Sequence, residues 1–96
     1  MALIFALDPR KAEANLKKHG VSFTEASEVF ADAFSLTIDY PDHFQGEERY
    51  VTIGQSLRQG LCVVVHADDG DAVRIISARP ATARERRAYE QGIQKT

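Results

Sequence analysis

The chain has 96 residues, of which 44% are hydrophobic and 27% charged, with a net charge of −2; this describes one soluble domain with a single core and excludes a disordered chain. A domain of this size buries roughly 65% of the surface its unfolded form exposes, so the core needs no staples. The longest apolar run, Leu61 to Val65, falls far short of the ~20 residues of a membrane helix, and the single Cys62 permits no internal disulfide, so the expected compartment is the cytoplasm.

Met1 to Leu7 is apolar, lacks a basic start and runs into Asp8-Pro9, which reads as a first strand rather than a signal peptide. Asp8 suits a helix N-cap and Pro9 the first helical position. Ala12, Leu16 and His19 fall on one helical stripe, and Gly20 is placed to end that helix. Ser22-Phe23-Thr24-Glu25 has the spacing of a capping box, with Val21 able to staple onto Ala26. Phe23, Ala26 and Phe30 then carry a second helix to about Asp32.

Beyond this point the period changes. Leu36, Ile38 and Tyr40 alternate with polar neighbours as a half-buried strand. A loop follows from Pro41 to Gly46, then a second alternating strand from Arg49 to Gly54 and a turn at Leu57 to Gly60. Leu61 to Val65 is apolar on both faces, which predicts a central strand. Asp68 to Asp71 reads as a hairpin turn and Ala72 to Ala78 as the returning strand. Pro80 suits a helix start, and Thr82 to Glu85 forms a second capping box one turn later. From Ala81 to Tyr89 this last helix has only Ala81, Ala83, Ala88 and Tyr89 as apolar side chains, so it buries little. The order predicts an α+β fold: an N-terminal strand and two-helix hairpin packed on an antiparallel β-meander, closed by a C-terminal helix.

Charge is placed unevenly. Acidic residues gather at Asp39, Asp42, Glu47 and Glu48 and again at Asp68, Asp69 and Asp71, whereas basic residues cluster from Arg10 to Lys18 and from Arg74 to Arg87. His19, His43 and His66 do not stand at metal-ligand spacing, and no cysteine pair supports them. Cys62 lies in the most apolar strand, where a thiol is inert; Ser56 and Ser77 lack an elbow motif, and no glycine-rich phosphate loop occurs. The sequence therefore calls for no cofactor. What remains is a set of cations with titratable neighbours. With Asp69-Gly70 as a two-residue turn, Val65 would face Arg74, and Arg49 would lie toward the same end of the sheet. Converging arginines bind phosphate and stabilise its charge. Taken singly, Arg49 and Arg74 read equally as surface ion-pair partners of Glu47, Glu48 or Asp71.

The order of motifs resembles the BrnT toxins. The resemblance is carried by Asp8-Pro9-Arg10-Lys11-Ala12, Asn15-Leu16, Lys18-His19-Gly20-Val21-Ser22-Phe23, Glu47-Glu48-Arg49-Tyr50, Ile53-Gly54-Gln55-Ser56 and Arg74-Ile75-Ile76-Ser77-Ala78-Arg79. It covers the chain from about Phe5 to Tyr89. The one clear departure is Leu7, where the family usually has tryptophan. The resemblance implies a single RelE-like domain acting as an endoribonuclease toxin of a type II toxin–antitoxin system. It implies a BrnA-like ribbon-helix-helix antitoxin that neutralises the toxin, a heterotetramer that represses its own operon, and contact with operator DNA only through the antitoxin. Metal-independent cleavage by the ribose 2′-hydroxyl asks for cations on the phosphate, a base and an acid. Arg74 and Arg79 are the candidates for the phosphate, Glu48 or His43 for proton transfer, and Lys11 and Arg49 for further RNA contacts. Tyr89 is placed either to stack on a base or to fill the joint between helix and sheet. Two other readings are a non-catalytic RNA- or ribosome-binding module and a toxin-like scaffold acting through its antitoxin.

Overall fold

The computed structural model describes residues 3–40, 47–58 and 60–94. Its elements are β1 (Ile4–Ala6), α1 (Pro9–His19), α2 (Phe23–Ser27) with a 3-10 turn over Glu28–Ala31, β2 (Leu36–Asp39), β3 (Tyr50–Gln55), β4 (Leu61–Asp69), β5 (Ala72–Pro80) and α3 (Ala83–Gln94). The strands form one sheet in the order β1-β5-β4-β3-β2. Among the described residues no helix is long and apolar enough to cross a membrane.

Local chemistry sets the helix ends. The Asp8 carboxylate accepts from the Arg10 amide at 2.9 Å, and Gly20 closes α1 with φ 75°, a left-handed conformation that disfavours a side chain. Ser22 and Glu25 form the reciprocal capping box that the sequence predicts. The second helix is shorter than expected, because it tightens into the 3-10 turn after Ser27. α1 also rolls away from the stripe its apolar residues suggest. Leu16 is exposed and Asn15 is buried, since Asn15 has backbone partners waiting in the interior.

The sheet is mixed rather than wholly antiparallel. β1 pairs with β5 in parallel through Ile4–Ala72, Phe5–Val73 and Ala6–Arg74, while the other strand pairs are antiparallel. The β4–β5 register also differs from the expected one. Gly70, at φ 63°, takes the first central position of the turn, so Asp69 pairs with Ala72 and Ala67 with Arg74. β5 continues to Pro80, which pairs with Cys62, and α3 begins only after Thr82.

Two apolar cores flank the sheet. Val21, Phe23, Ala26 and Val29 from the α2 side meet Cys62, Val64, Ile75 and Ala78. On the opposite face Ile53, Leu61 and Val63 meet Tyr89 of α3. Gly54 permits the first of these layers to close, because a Cβ there would stand 2.9 Å from both the Cβ and the carbonyl oxygen of Val29. His66 lies among the helix-side residues, with the Phe30 ring edge-on at 4.8 Å and Tyr50 stacked at 5.8 Å. Its Nε2 meets the Thr52 hydroxyl at 2.8 Å and its buried Nδ1 has no partner among the described residues; burial holds its pKa below the usual 6.5 against an opposing effect of Asp68.

Candidate functional site

One irregularity in β5 assembles the site. Val65 pairs with Ser77 and His66 with Ile75, so Ile76 is an extra residue, a bulge. Residues directly opposite in a sheet project to the same face. Arg74, Ser77 and Arg79 stand opposite Ala67, Val65 and Val63, which alternate along β4, so all three β5 side chains share the α3 face. Without the bulge, Arg74 and Arg79 would project to opposite faces.

α3 covers only part of that face. Its Tyr89 packs on Ile53, Leu61 and Val63, and its Gly92 lies against Leu36. Beyond it, Val51, Val65, Arg74 and Ser77 remain partly exposed. The Tyr89 ring is 8% exposed and its hydroxyl donates to Asp32 at 2.5 Å. Tyr89 therefore fills the joint and offers no stacking surface. Burial, reinforced by Asp32, pushes its hydroxyl up to about 12. For Asp32 itself burial works against the charged form, but bonds from Tyr89 and from the amides of Gln55 and Phe34 hold the carboxyl below its usual range.

At the open end, Glu47 bridges two arginines. One oxygen accepts from Arg74 Nη2, and the other accepts from Arg49 Nε at 3.3 Å. Asp69 stands 3.9 Å from Arg74 Nε. The structure thus joins Arg49 and Arg74, as the sequence suggests, and does so through the carboxylate that the ion-pair reading names. Glu48 is not part of this bridge: it accepts from the Tyr50 hydroxyl at 3.1 Å. His43 lies outside the described residues.

Arg79 stands apart from this group. Its position opposite Val63 is four β4 residues from Arg74's, about 13 Å along the strand. Glu85 holds its guanidinium in a fork, with both bonds at 2.7 Å. The same carboxylate accepts from the Thr82 amide at 2.8 Å, so the cap of α3 and the clasp on Arg79 are one device. Arg79's hydrogen bonds hold the Glu85 carboxyl down to about 2, and Glu85 in turn raises Arg79. Lys11 lies on α1, near Ser77 but on the far side of β5 from the arginines.

Two residues matter more here than sequence reasoning allows. Asn15 donates from Nδ2 to the carbonyls of Val21 and Ala78, both at 2.9 Å, and accepts from the Ala78 amide at 3.0 Å. It takes the place of a neighbouring strand where β1 has already ended, and so fixes β5 between Ser77 and Arg79. Ser77 has no nucleophile motif, and only the bulge shows that it lies between the two arginines. Asn15 lies off the apolar stripe of Ala12, Leu16 and His19, and its place among the motifs that carry the family resemblance is the one signal that points to it.

A family model described as a ribonuclease toxin, BrnT, of type II toxin–antitoxin systems matches residues 7–85. That span runs from before α1 through the whole sheet meander to Glu85, and so contains each arginine and carboxylate of the site. The protein is therefore a ribonuclease toxin of the type II toxin–antitoxin class. Within that class, the chain belongs to the BrnT family. The crystal structure of the Brucella abortus ribonuclease toxin BrnT has a similar fold, with a TM-score of 0.61 at 21% identity, over 84% of this chain and 99% of that one. No curated protein sequence matches the chain.

Proposed function

We propose that the protein is a metal-independent endoribonuclease of RelE-like type whose scissile phosphate lies on the open face between Arg74 and Arg79. The observation that carries this reading is the Ile76 bulge, which brings Arg74, Ser77 and Arg79 to one side of β5. Arg74 and Arg49 are both closed by Glu47 in the free protein. An incoming phosphate takes Arg74 and releases Glu47 beside it. The freed carboxylate stands where it accepts the 2′-hydroxyl proton, while the guanidinium carries the charge that develops on the phosphorus oxygens. Glu47 thus takes the role the sequence offers to Glu48. An imidazole is suited to protonating the leaving 5′-oxygen, and that is the role proposed for His43. Attack by the 2′-hydroxyl also makes the enzyme blind to DNA.

The family pairs its toxin with an antitoxin. Our reading is that a BrnA-like ribbon-helix-helix antitoxin neutralises this chain by covering the arginine face, in a heterotetramer that represses its own operon through the antitoxin's DNA-binding domain.

The test is cleavage of RNA by the purified protein in a chelating buffer. We expect 2′,3′-cyclic phosphate ends, no cleavage of DNA, and a loss of ~10²-fold or more in rate for Arg74→Ala and for Arg79→Ala. Both variants should remain folded. Full cleavage by both would refute the site, and cleavage that requires added metal would refute the mechanism.

A further inference from the structure

An open groove of about 310 Å³ runs between α1 and the bulged part of β5, lined by Lys11, Lys18, His19, Ile76 and Ser77 among others. Lys11 and Lys18 are seven residues apart, two turns of one helix, and so share a face. Among the described residues no carboxylate pairs with Lys11, Lys18 or His19, whereas Arg49, Arg74 and Arg79 are all held by carboxylates. Lys17, on a different side of α1, is paired with Glu13 at 3.1 Å. Ser77 belongs to both places: it lines the groove and lies on the sheet face between Arg74 and Arg79. The groove therefore borders the bulged segment of β5, whose other side carries the arginines.

We infer that this groove is a track for the phosphate backbone of the RNA strand on one side of the cut, with Lys11 and Lys18 as its cations. The inference rests on the arginine face being the place of cleavage. Lys11 and Lys18 are about 10.5 Å apart along the helix axis, far enough to hold two separate phosphates of one strand. Two unpaired lysines at such a spacing suit a repeating phosphate chain, and contact with phosphate requires no base identity. An acidic protein segment is the alternative occupant, and it lacks that repeat.

Binding of a 2′-O-methyl RNA 12-mer, which the 2′-hydroxyl mechanism cannot cut, tests the track apart from the chemistry. We expect the double variant Lys11→Gln, Lys18→Gln to bind about tenfold more weakly at low salt. Its log–log salt slope should fall by about 1.4, the value for two phosphate contacts on a single strand. Lys17→Gln, which removes a cation from outside the groove, should leave affinity and slope as in the wild type. Unchanged affinity and slope in the double variant would overturn the track, as would an equal loss in Lys17→Gln. So would a result in which the double variant loses only its antitoxin, because that assigns the groove to protein. Should Arg74→Ala and Arg79→Ala cut RNA fully while the lysine variant still loses its salt slope, the cleavage site fails and the track stands as a binding surface alone.

Discussion

Asn15 gives the sharpest test of how the site is supported. It is 7% exposed and makes three hydrogen bonds, two as a donor and one as an acceptor, all to backbone groups. Asn15→Ala removes all three and leaves the Ala78 amide and the carbonyls of Ala78 and Val21 facing a gap. Each such bond contributes about 1 kcal/mol net, and each buried group left unpaired costs about 1–3 kcal/mol. With some relaxation and entry of water, the expected loss is about 3–5 kcal/mol, at the high end for one substitution. For a domain of this size that lowers Tm by roughly 15–30 °C. Asn15→Asp keeps the acceptor for the Ala78 amide but points a carboxylate at two carbonyl oxygens, and should cost at least as much. Urea unfolding at neutral pH measures the loss, with an unchanged m value showing that the unfolded state is not the cause. A loss below about 1 kcal/mol in both variants would refute the view that a side-chain amide replaces a strand here.

Two further expectations concern acid. Glu85 is held down to about 2 from its usual 4.5, chiefly by Arg79, so its contribution is present above pH 4.5 and is lost as pH falls toward 2; both partners being partly in solvent, that contribution is about 1–2 kcal/mol. Glu85→Gln should therefore lower Tm at pH 7 and flatten its fall below pH 4.5, and an unaltered acid slope would refute the clasp. His66 acts in a different window: its pKa is lowered by burial, so the unfolded chain binds the extra proton and stability falls as pH drops below about 6.5. His66→Gln should remove the part of the slope that begins there, as read by thermal unfolding from pH 8 to 5.

Much of the fold is legible because local chemistry and tertiary packing agree. Asp8, Gly20, the Ser22–Glu25 box and the Thr82–Glu85 box all act at the positions their spacing assigns. Gly54 reads in the sequence as the end of a strand and as part of a family motif, yet it has a specific task, to let Val29 approach β3. What sequence reasoning misses depends on partners distant in the chain. A three-residue β1 carries no signal of its partner, so its parallel pairing with β5 is decided by where the helices leave it. The turn at Gly70 has two acceptable settings one residue apart. The backbone takes the one that places glycine first, and every cross-strand neighbour of Arg74 shifts with it.

The site shows the same division more strictly. The identities of its cations are legible: Arg49, Arg74 and Arg79 stand out as charges on or beside strands. Their arrangement is not, because one inserted residue decides it. Counted along the sequence, Arg74 and Arg79 fall on opposite faces; the Ile76 bulge reverses that and inserts Ser77 between them. The pairing of the cations is likewise a matter of neighbours 27 positions away for Arg74 and Glu47, and of a helix cap for Arg79 and Glu85. If these arginines hold the RNA, as proposed, a free toxin in which each guanidinium already holds a carboxylate binds RNA by exchange of one anion for another. Phosphate affinity at this face is then a difference between two charge-assisted interactions, each weakened by salt. The lysines of the α1 groove have no such competitor among the described residues. On the proposed reading they attract the strand first, and the arginines, released in turn from Glu47 and Glu85, act on the phosphate that reaches them.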